Sequence, residues 1–307
     1  MNRRATEAAP HKWDFKRLLP EAGLPGAALV AQAFMPGRGG RPYNQEPMDR
    51  IPILAADGRE VSHLAVRLDT PEGDAEAPFC FLYLHGFGSA QSGEKADFFR
   101  SRAVEAGFAF CSFDFQGHGQ SGGALRNLSL TRNLEDIGRV QAWLCERGHG
   151  RLCLLGSSMG GGSALWYSAL HPESILAGLH IAPALALDRA LLDWAGPEGS
   201  RRWQETGSIH FQNDLVETAL DWSLIEDLQR YPVDDLLTRY RTPALLLQGR
   251  RDTSVPWRSV VDFAVRCAFT AIDLHLFADG DHRLTDRKER LWSLMLEFLR
   301  GRGILRS

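Results

Sequence analysis

Apolar positions along the chain gather into two kinds of stretch that alternate. Short apolar runs at Phe79–Leu84, Phe108–Phe113, Leu152–Leu155, Ile175–Ile181, Ala244–Gln248 and Ile272–Phe277 have the length of buried strands. Between them, Ala96–Ala106, Leu130–Arg147, Gly160–Leu170, Trp257–Phe269 and Arg287–Leu299 read as helices. The apolar residues of the second of these helices include Leu134, Ile137, Val140, Ala142 and Leu144. Strands alternating with helices predict a mostly parallel central sheet flanked by helices on both faces, the α/β class. Ahead of this series, Ile51–Leu68 holds two β-rich runs around Asp57-Gly58 and predicts an antiparallel hairpin.

The alternation breaks between Ala184 and Arg239, where mixed helical pieces carry Trp194, Trp203, Phe211 and Trp222. This stretch predicts a small helical cap inserted over the C-terminal edge of the sheet, where open α/β folds bind ligands. The expected division is an N-terminal extension at 1–50, a core at 51–183 and 241–307, and a cap at 184–240. Within the extension, Trp13–Leu19 suggests a turn or two of helix and Met35–Pro42 a loop.

Composition narrows the function. The chain has 307 residues, 44% of them hydrophobic, and a net charge of −3. No basic run is long enough to follow a nucleic-acid backbone, so nucleic acid is not an expected partner. No apolar stretch reaches the length of a membrane span. Pro25, Gly26, Pro36 and Gly37 interrupt the one mildly apolar segment near the start, which argues against a secretory signal. Glu7, Asp14 and Glu21 argue against a transit peptide. The cysteines are Cys80, Cys111, Cys145, Cys153 and Cys267, an odd number, and they read as reduced residues of a cytoplasmic protein. No Cys/His spacing suggests a metal site, and no metal is expected. Gly117-His118-Gly119-Gln120-Ser121-Gly122 matches a dinucleotide fingerprint only formally, because no helix opens there. In the phosphate-loop-like run from Gly88, Glu94 stands where lysine is required. No cofactor is therefore expected. The sequence leaves the oligomeric state open.

The chemistry centres on Gly156-Ser157-Ser158-Met159-Gly160, set between the run Leu152–Leu155 and the helical Gly160–Leu170. A serine on a sharp strand-to-helix turn projects its hydroxyl, and glycines on either side let strand and helix approach. This makes Ser158 the candidate nucleophile, with Ser157 pointing elsewhere. The helix behind it aims free N–H groups and its positive end at the same spot. A serine nucleophile needs a base, and the base needs a partner to fix its tautomer. Asp252 follows the strand Ala244–Gln248, and His282 follows Ile272–Phe277. Asp279, Asp281, Asp234 and Asp235 are competing acids, the first two lying very near His282 in sequence. An oxyanion hole is expected from the backbone N–H groups of Met159 and of Phe87, in the turn His85-Gly86-Phe87-Gly88.

Taken together, His85-Gly86-Phe87-Gly88, Asp114-Phe115-Gln116-Gly117-His118-Gly119-Gln120-Ser121, the Ser158 turn and the Asp252 and His282 loops resemble the serine α/β-hydrolases over roughly residues 80–300. The Ser158 turn, Asp252-Thr253-Ser254-Val255-Pro256-Trp257 and Asp281-His282-Arg283 are similar to the branch of acyl-protein thioesterases and acyl-glucuronide esterases. Bacterial feruloyl-type esterases share a His-Gly-Phe stretch. The resemblance implies an α/β-hydrolase fold with Ser158, Asp252 and His282 as a triad. It also implies hydrolysis of a carboxylic ester or acyl thioester, on a small molecule or an acylated protein. Two other functions stay open: an aminopeptidase-type peptidase, with Glu205, Glu217 and Glu226 as cap acids, and a non-catalytic ligand-binding protein on the same fold.

Overall fold

The computed structural model describes residues 48–72, 77–212 and 216–305, so the expectations for 1–47 lie outside it. The described chain starts with a hairpin, β1 (Asp49–Leu54) and β2 (Glu60–Asp69), paired antiparallel. Its strand β1 begins inside the stretch read as an extension. Asp49 and Arg50 are exposed on this edge strand, so no apolar position marked its start. The main series follows: β3 (Cys80–Leu84), α1 (Glu94–Glu105), β4 (Ala109–Phe113), α2 (Leu130–Cys145), β5 (Leu152–Ser157), α3 (Met159–Leu170) and β6 (Ile175–Ile181). After an insertion it resumes with β9 (Ala244–Gly249), α7 (Trp257–Arg266), β10 (Ile272–Phe277) and α8 (Lys288–Gly301).

Eight strands form one sheet in the order β1-β2-β4-β3-β5-β6-β9-β10. β2 is antiparallel to β1 and β4, and every other pairing is parallel. Both faces are covered, which is why β3, β4, β5 and β9 are buried at every position and read as continuous apolar runs. Side chains still alternate. Cys80, Leu82 and Leu84 join the core beneath α2, α3 and α7, while Phe81 and Tyr83 join the core beneath α1 and α8. The second core is aromatic at its centre, with Phe79, Phe81 and Phe108 in mutual ring contact and Trp292 against Phe81. Helix α2 starts at Ser129, whose Oγ accepts a hydrogen bond from the Arg132 N–H at 3.1 Å. It buries Leu134, Ile137, Val140 and Leu144 as expected. Ala142 faces solvent instead, and Trp143 takes the inward place.

The insertion between β6 and β9 is not wholly helical. It contains α4 (Leu187–Thr206), a hairpin of β7 (Ser208–Gln212) and β8 (Glu217–Asp221), then α5 (Ser223–Leu228) and α6 (Val233–Arg239). Helix α4 breaks at Gly196-Pro197, where Gly196 takes φ 70°. The fully buried Trp203 ties α4 to the hairpin by donating from Nε1 to the Leu220 carbonyl at 2.8 Å. The cap is latched to α2 by Asp227, which accepts from the Thr131 N–H at 3.0 Å and the Thr131 hydroxyl at 2.5 Å. The Tyr231 hydroxyl joins Thr131 at 2.8 Å.

Replacing Asp227 with alanine leaves both Thr131 donors without this acceptor. Stability should fall by about 1–3 kcal/mol, and proteolysis should open first within the cap. Urea unfolding with a protease digest checks this. A variant with wild-type stability and wild-type cleavage would show that the latch contributes nothing.

Candidate active site

Strand β5 ends at Ser157 and α3 begins at Met159, leaving Ser158 alone in the turn, at φ 54° and ψ −118°. A non-glycine residue there is strained. Three backbone hydrogen bonds hold it. Its N–H donates to the Ile181 carbonyl at 2.9 Å, and its carbonyl accepts from Gly162 and Ala184 at 3.0 Å each. The glycines expected on steric grounds are required. A Cβ on Gly156 would lie 2.6 Å from the Gly160 carbonyl oxygen, and one on Gly160 would lie 2.2 Å from the Leu84 oxygen. Gly162 was not singled out in the sequence, yet its Cβ would meet the Ala184 oxygen at 2.3 Å.

The residues named from sequence come together here. His282 Nε2 lies 3.0 Å from Ser158 Oγ, and its Nδ1 lies 2.8 Å from Asp252 Oδ2. All three are buried, with 8–9% of their surface exposed. Asp252 Oδ1 accepts from the Ser254 and Val255 N–H groups at 2.8 Å each, and Oδ2 also accepts from Gln248 Nε2 at 2.8 Å. Gln248, at the end of β9, carried no motif that could have flagged it. Burial alone would raise the Asp252 carboxyl. The hydrogen bond and charge of His282, with the two backbone N–H groups, outweigh it and hold the group below the usual carboxylate value. An ionised Asp252 takes the Nδ1 proton in a hydrogen bond and leaves the Nε2 lone pair facing the hydroxyl. The competing acids are engaged elsewhere: Asp279 with Arg287, Asp234 with Arg266, Asp235 with Arg239, and Asp281 with the N–H groups of Arg283 and Leu284.

The turn after β3 lies against the serine, since a Cβ on Gly86 would sit 3.3 Å from Ser158 Cβ. Next to it the Phe87 ring is buried and packs edge-on to Phe211 of the cap at 5.4 Å. Met159 is the first residue of α3, so its N–H has no partner within that helix. Beneath Phe87, His85 Nδ1 donates to the Gly86 carbonyl at 2.8 Å and Nε2 accepts from the Phe115 N–H at 3.1 Å. Burial pushes the His85 pKa down to about 4, against the Gly86 bond, so the ring is neutral at pH 7. The formal G-x-G-x-x-G folds around Asp114, whose carboxylate accepts from Gln91 and Gln120 N–H groups at 2.7 and 2.9 Å. No α-helix opens there, only a short 3₁₀ turn at Leu125–Asn127.

A small cavity of about 30 Å³ lies between core and cap, with Met159, the residue after the nucleophile candidate, on its wall. Leu128, Leu130, Trp166, Leu185, Leu224 and Leu228 supply much of its apolar wall, and Asp188 is its one carboxylate. Phe211 packs against Trp194 at 5.1 Å and edge-on to Phe87, rather than lining this space. Among the described residues no cluster of His, Cys, Asp and Glu could hold a metal ion. The arrangement is suited to proton transfer from a serine hydroxyl to an imidazole in a largely water-excluded site.

Two substitutions probe this geometry. Gly160→Ala forces a methyl group into the Leu84 and His85 carbonyls and should cost about 3 kcal/mol or more, with loss of Ser158 labelling by a fluorophosphonate. Thermal melts and labelling read both, and wild-type values would show that strand and helix can part freely. Asp252→Asn tests the carboxylate. Its folded pKa lies below the unfolded one, so ionised Asp252 stabilises the fold above about pH 4. That contribution is lost as pH falls through the lower folded value. The stability gap between wild type and Asp252→Asn in urea should therefore be present at neutral pH and close under acid. A gap that widens under acid would refute the assignment.

Comparison with known proteins places the chain among hydrolases. The family described as serine aminopeptidase, S33 matches residues 77–221. Palmitoyl-protein thioesterase ABHD10, mitochondrial, of Bos taurus is 24% identical over 211 residues, covering 68% of each chain. Alpha/beta hydrolase domain-containing protein 10 from mouse superimposes with a TM-score of 0.67 at 22% identity, covering 83% of this chain and 99% of the other. Est1E from Butyrivibrio proteoclasticus, with ferulic acid bound, gives 0.64 at 22% identity, covering 80% and 98%.

Proposed function

We propose that the chain is a serine α/β-hydrolase that cleaves a carboxylic ester or acyl thioester through an acyl-enzyme on Ser158. The observation that carries this reading is the unbroken relay from Asp252 through His282 to Ser158, at 2.8 and 3.0 Å. In the proposed mechanism, Ser158 Oγ attacks the acyl carbon as His282 Nε2 takes its proton. Asp252 holds the ring and stabilises the imidazolium that forms. The developing oxyanion is bound by the N–H groups of Met159 and Phe87. His282 then returns the proton to the leaving alcohol or thiol. Water, activated by the same imidazole, releases the acid and frees the serine.

The leucines on the wall of the small cavity beside Met159 support a hydrocarbon acyl group, because burying such a group against them removes apolar surface from water. The thioester half of the reading leans on the palmitoyl-protein thioesterase relatives. The free cysteines support a reducing compartment, and we assign the cytoplasm. Among the described residues no helix is long and apolar enough to cross a membrane.

A peptidase reading has one observation in its favour, Asp188 at the cavity wall, which could receive a substrate amine. The cap acids expected for that role do not serve it. Glu205 and Glu217 are exposed and paired with Arg201 and His210, and Glu226 is exposed. A purely binding protein has no need of a relay in working order.

Ser158→Ala and His282→Ala should each lower kcat by about 10⁵–10⁶, and Asp252→Asn by about 10⁴. Turnover of matched p-nitrophenyl esters and acyl thioesters over a range of chain lengths reads this, with aminoacyl arylamides as the peptidase arm. Arylamide cleavage outpacing ester cleavage would favour the peptidase. Wild-type turnover in His282→Ala would end the triad assignment.

A further inference from the structure

One wall of the cavity between core and cap is a single helix face. Met159, Gly162, Ser163 and Trp166 line it, and their spacing puts them on one side of α3. Met159 follows Ser158 directly. Gly162 and Ala184, also on the wall, hold the Ser158 carbonyl through their N–H groups. The cavity thus adjoins the Ser158 turn. About two turns further along α3 stands Trp166, which is almost fully buried. Its ring meets that of Tyr231 at 5.2 Å and 71°. Tyr231 is itself held from behind. The Thr131 hydroxyl gives its proton to Asp227 at 2.5 Å, so the Tyr231 hydroxyl donates to Thr131, at 2.8 Å. This relay ends on a carboxylate, which strengthens its bonds. The two rings therefore form a braced corner between α3 and the cap.

Three polar side chains of the wall make hydrogen bonds within the protein. Ser129 Oγ accepts from the Arg132 N–H, Asn133 Nδ2 donates to Ser163 Oγ at 3.2 Å, and Ser163 Oγ donates to the Met159 carbonyl at 3.0 Å. With these engaged, and Leu224 and Leu228 lining the α5 side, the wall suits a hydrocarbon. Volume then sets a limit. The cavity measures about 30 Å³, and each water-sized group needs about 10–15 Å³. We propose that this cavity seats the acyl group of the substrate and that the Trp166–Tyr231 corner stops it after about two to four carbons. The substrates are then short-chain acyl esters or thioesters, and a chain as long as palmitoyl has no room. The inference rests on the acyl-enzyme reading of Ser158 and adds the length of the acyl chain.

The experiment measures kcat/KM for p-nitrophenyl acetate, butyrate and octanoate in the full-length wild type, Trp166→Ala and Leu228→Trp. The wild type should favour butyrate over octanoate by at least about 10-fold, the factor that one misplaced methylene can cost in a pocket. Trp166→Ala removes the indole and should raise the octanoate-to-butyrate ratio by about 10-fold. Leu228→Trp fills the half-buried α5 side and should lower the butyrate-to-acetate ratio by a similar factor. A wild type that prefers octanoate overturns the proposal, and that measurement needs no variant to fold. A folded Trp166→Ala that keeps the wild-type ratio overturns it too, as does a folded Leu228→Trp that keeps its own. Failure of the acyl-enzyme reading looks different. No ester of any length would then be turned over and Ser158 would escape fluorophosphonate labelling, which removes both. Failure of the length limit alone leaves labelling and turnover in place and changes only the order of the substrates.

Discussion

The structure depends on one unfavourable backbone conformation, that of Ser158. A side-chain-bearing residue at φ 54°, ψ −118° costs about 1–3 kcal/mol, and it persists because its surroundings leave it no alternative. Its N–H is taken by the end of β6, and its carbonyl is shared between α3 and the first residues of the cap. The strain is not confined to the serine. Among the described residues the other non-glycine positions with positive φ are Ala182 and Leu284. Ala182 follows β6 and donates to the Leu247 carbonyl at 2.9 Å, and Leu284 stands two residues beyond His282. The chain therefore departs from ordinary backbone geometry at the loops that bring Ser158 and His282 together.

This arrangement couples the cap to the chemistry. Because the Ala184 N–H binds the Ser158 carbonyl, the root of the insertion and Ser158 share a hydrogen bond and cannot shift independently. A second attachment runs through aromatic rings, Trp194 on Phe211, Phe211 on Phe87, and Phe87 on His118. It reaches the turn that carries a proposed oxyanion donor. Aromatic residues in the cap could have served a pocket or plain packing. Here Trp203 and Phe211 are almost fully buried packing groups, and the open space beside them is mainly aliphatic.

Legibility in the sequence followed physical cause. Strands buried on both faces announce themselves as apolar runs, so Ile175–Ile181 coincides with the observed strand. The glycines at 156 and 160 are dictated by contacts under 3 Å, and this is why a short motif pointed to Ser158. Asp252 and His282 were findable because each follows the end of a recognisable strand. The cap hairpin was not legible. In Ser208–Gln212 one inward residue, Phe211, is buried and its neighbours are half-buried or exposed, too short an alternation to distinguish from helix. Gln248 was invisible for another reason. Its role comes from a hydrogen bond to Asp252, brought near by the fold, and no local pattern encodes that.

The costs gathered at this corner are similar in kind: strained torsions and a buried carboxylate. None could be met by a loop alone, because loops lack the packing to hold an unfavourable geometry. Here the residues hang from the ends of β3, β5, β9 and β10, adjacent or near-adjacent strands of a sheet whose two faces are sealed by separate cores. Each fully buried Phe or Leu beneath them contributes about 1.5–3 kcal/mol. A few such side chains offset the strain of the whole corner. The sheet thus acts as a rigid frame for a locally unstable arrangement, and the position of the hydroxyl is set by the registry of strands that never touch a substrate.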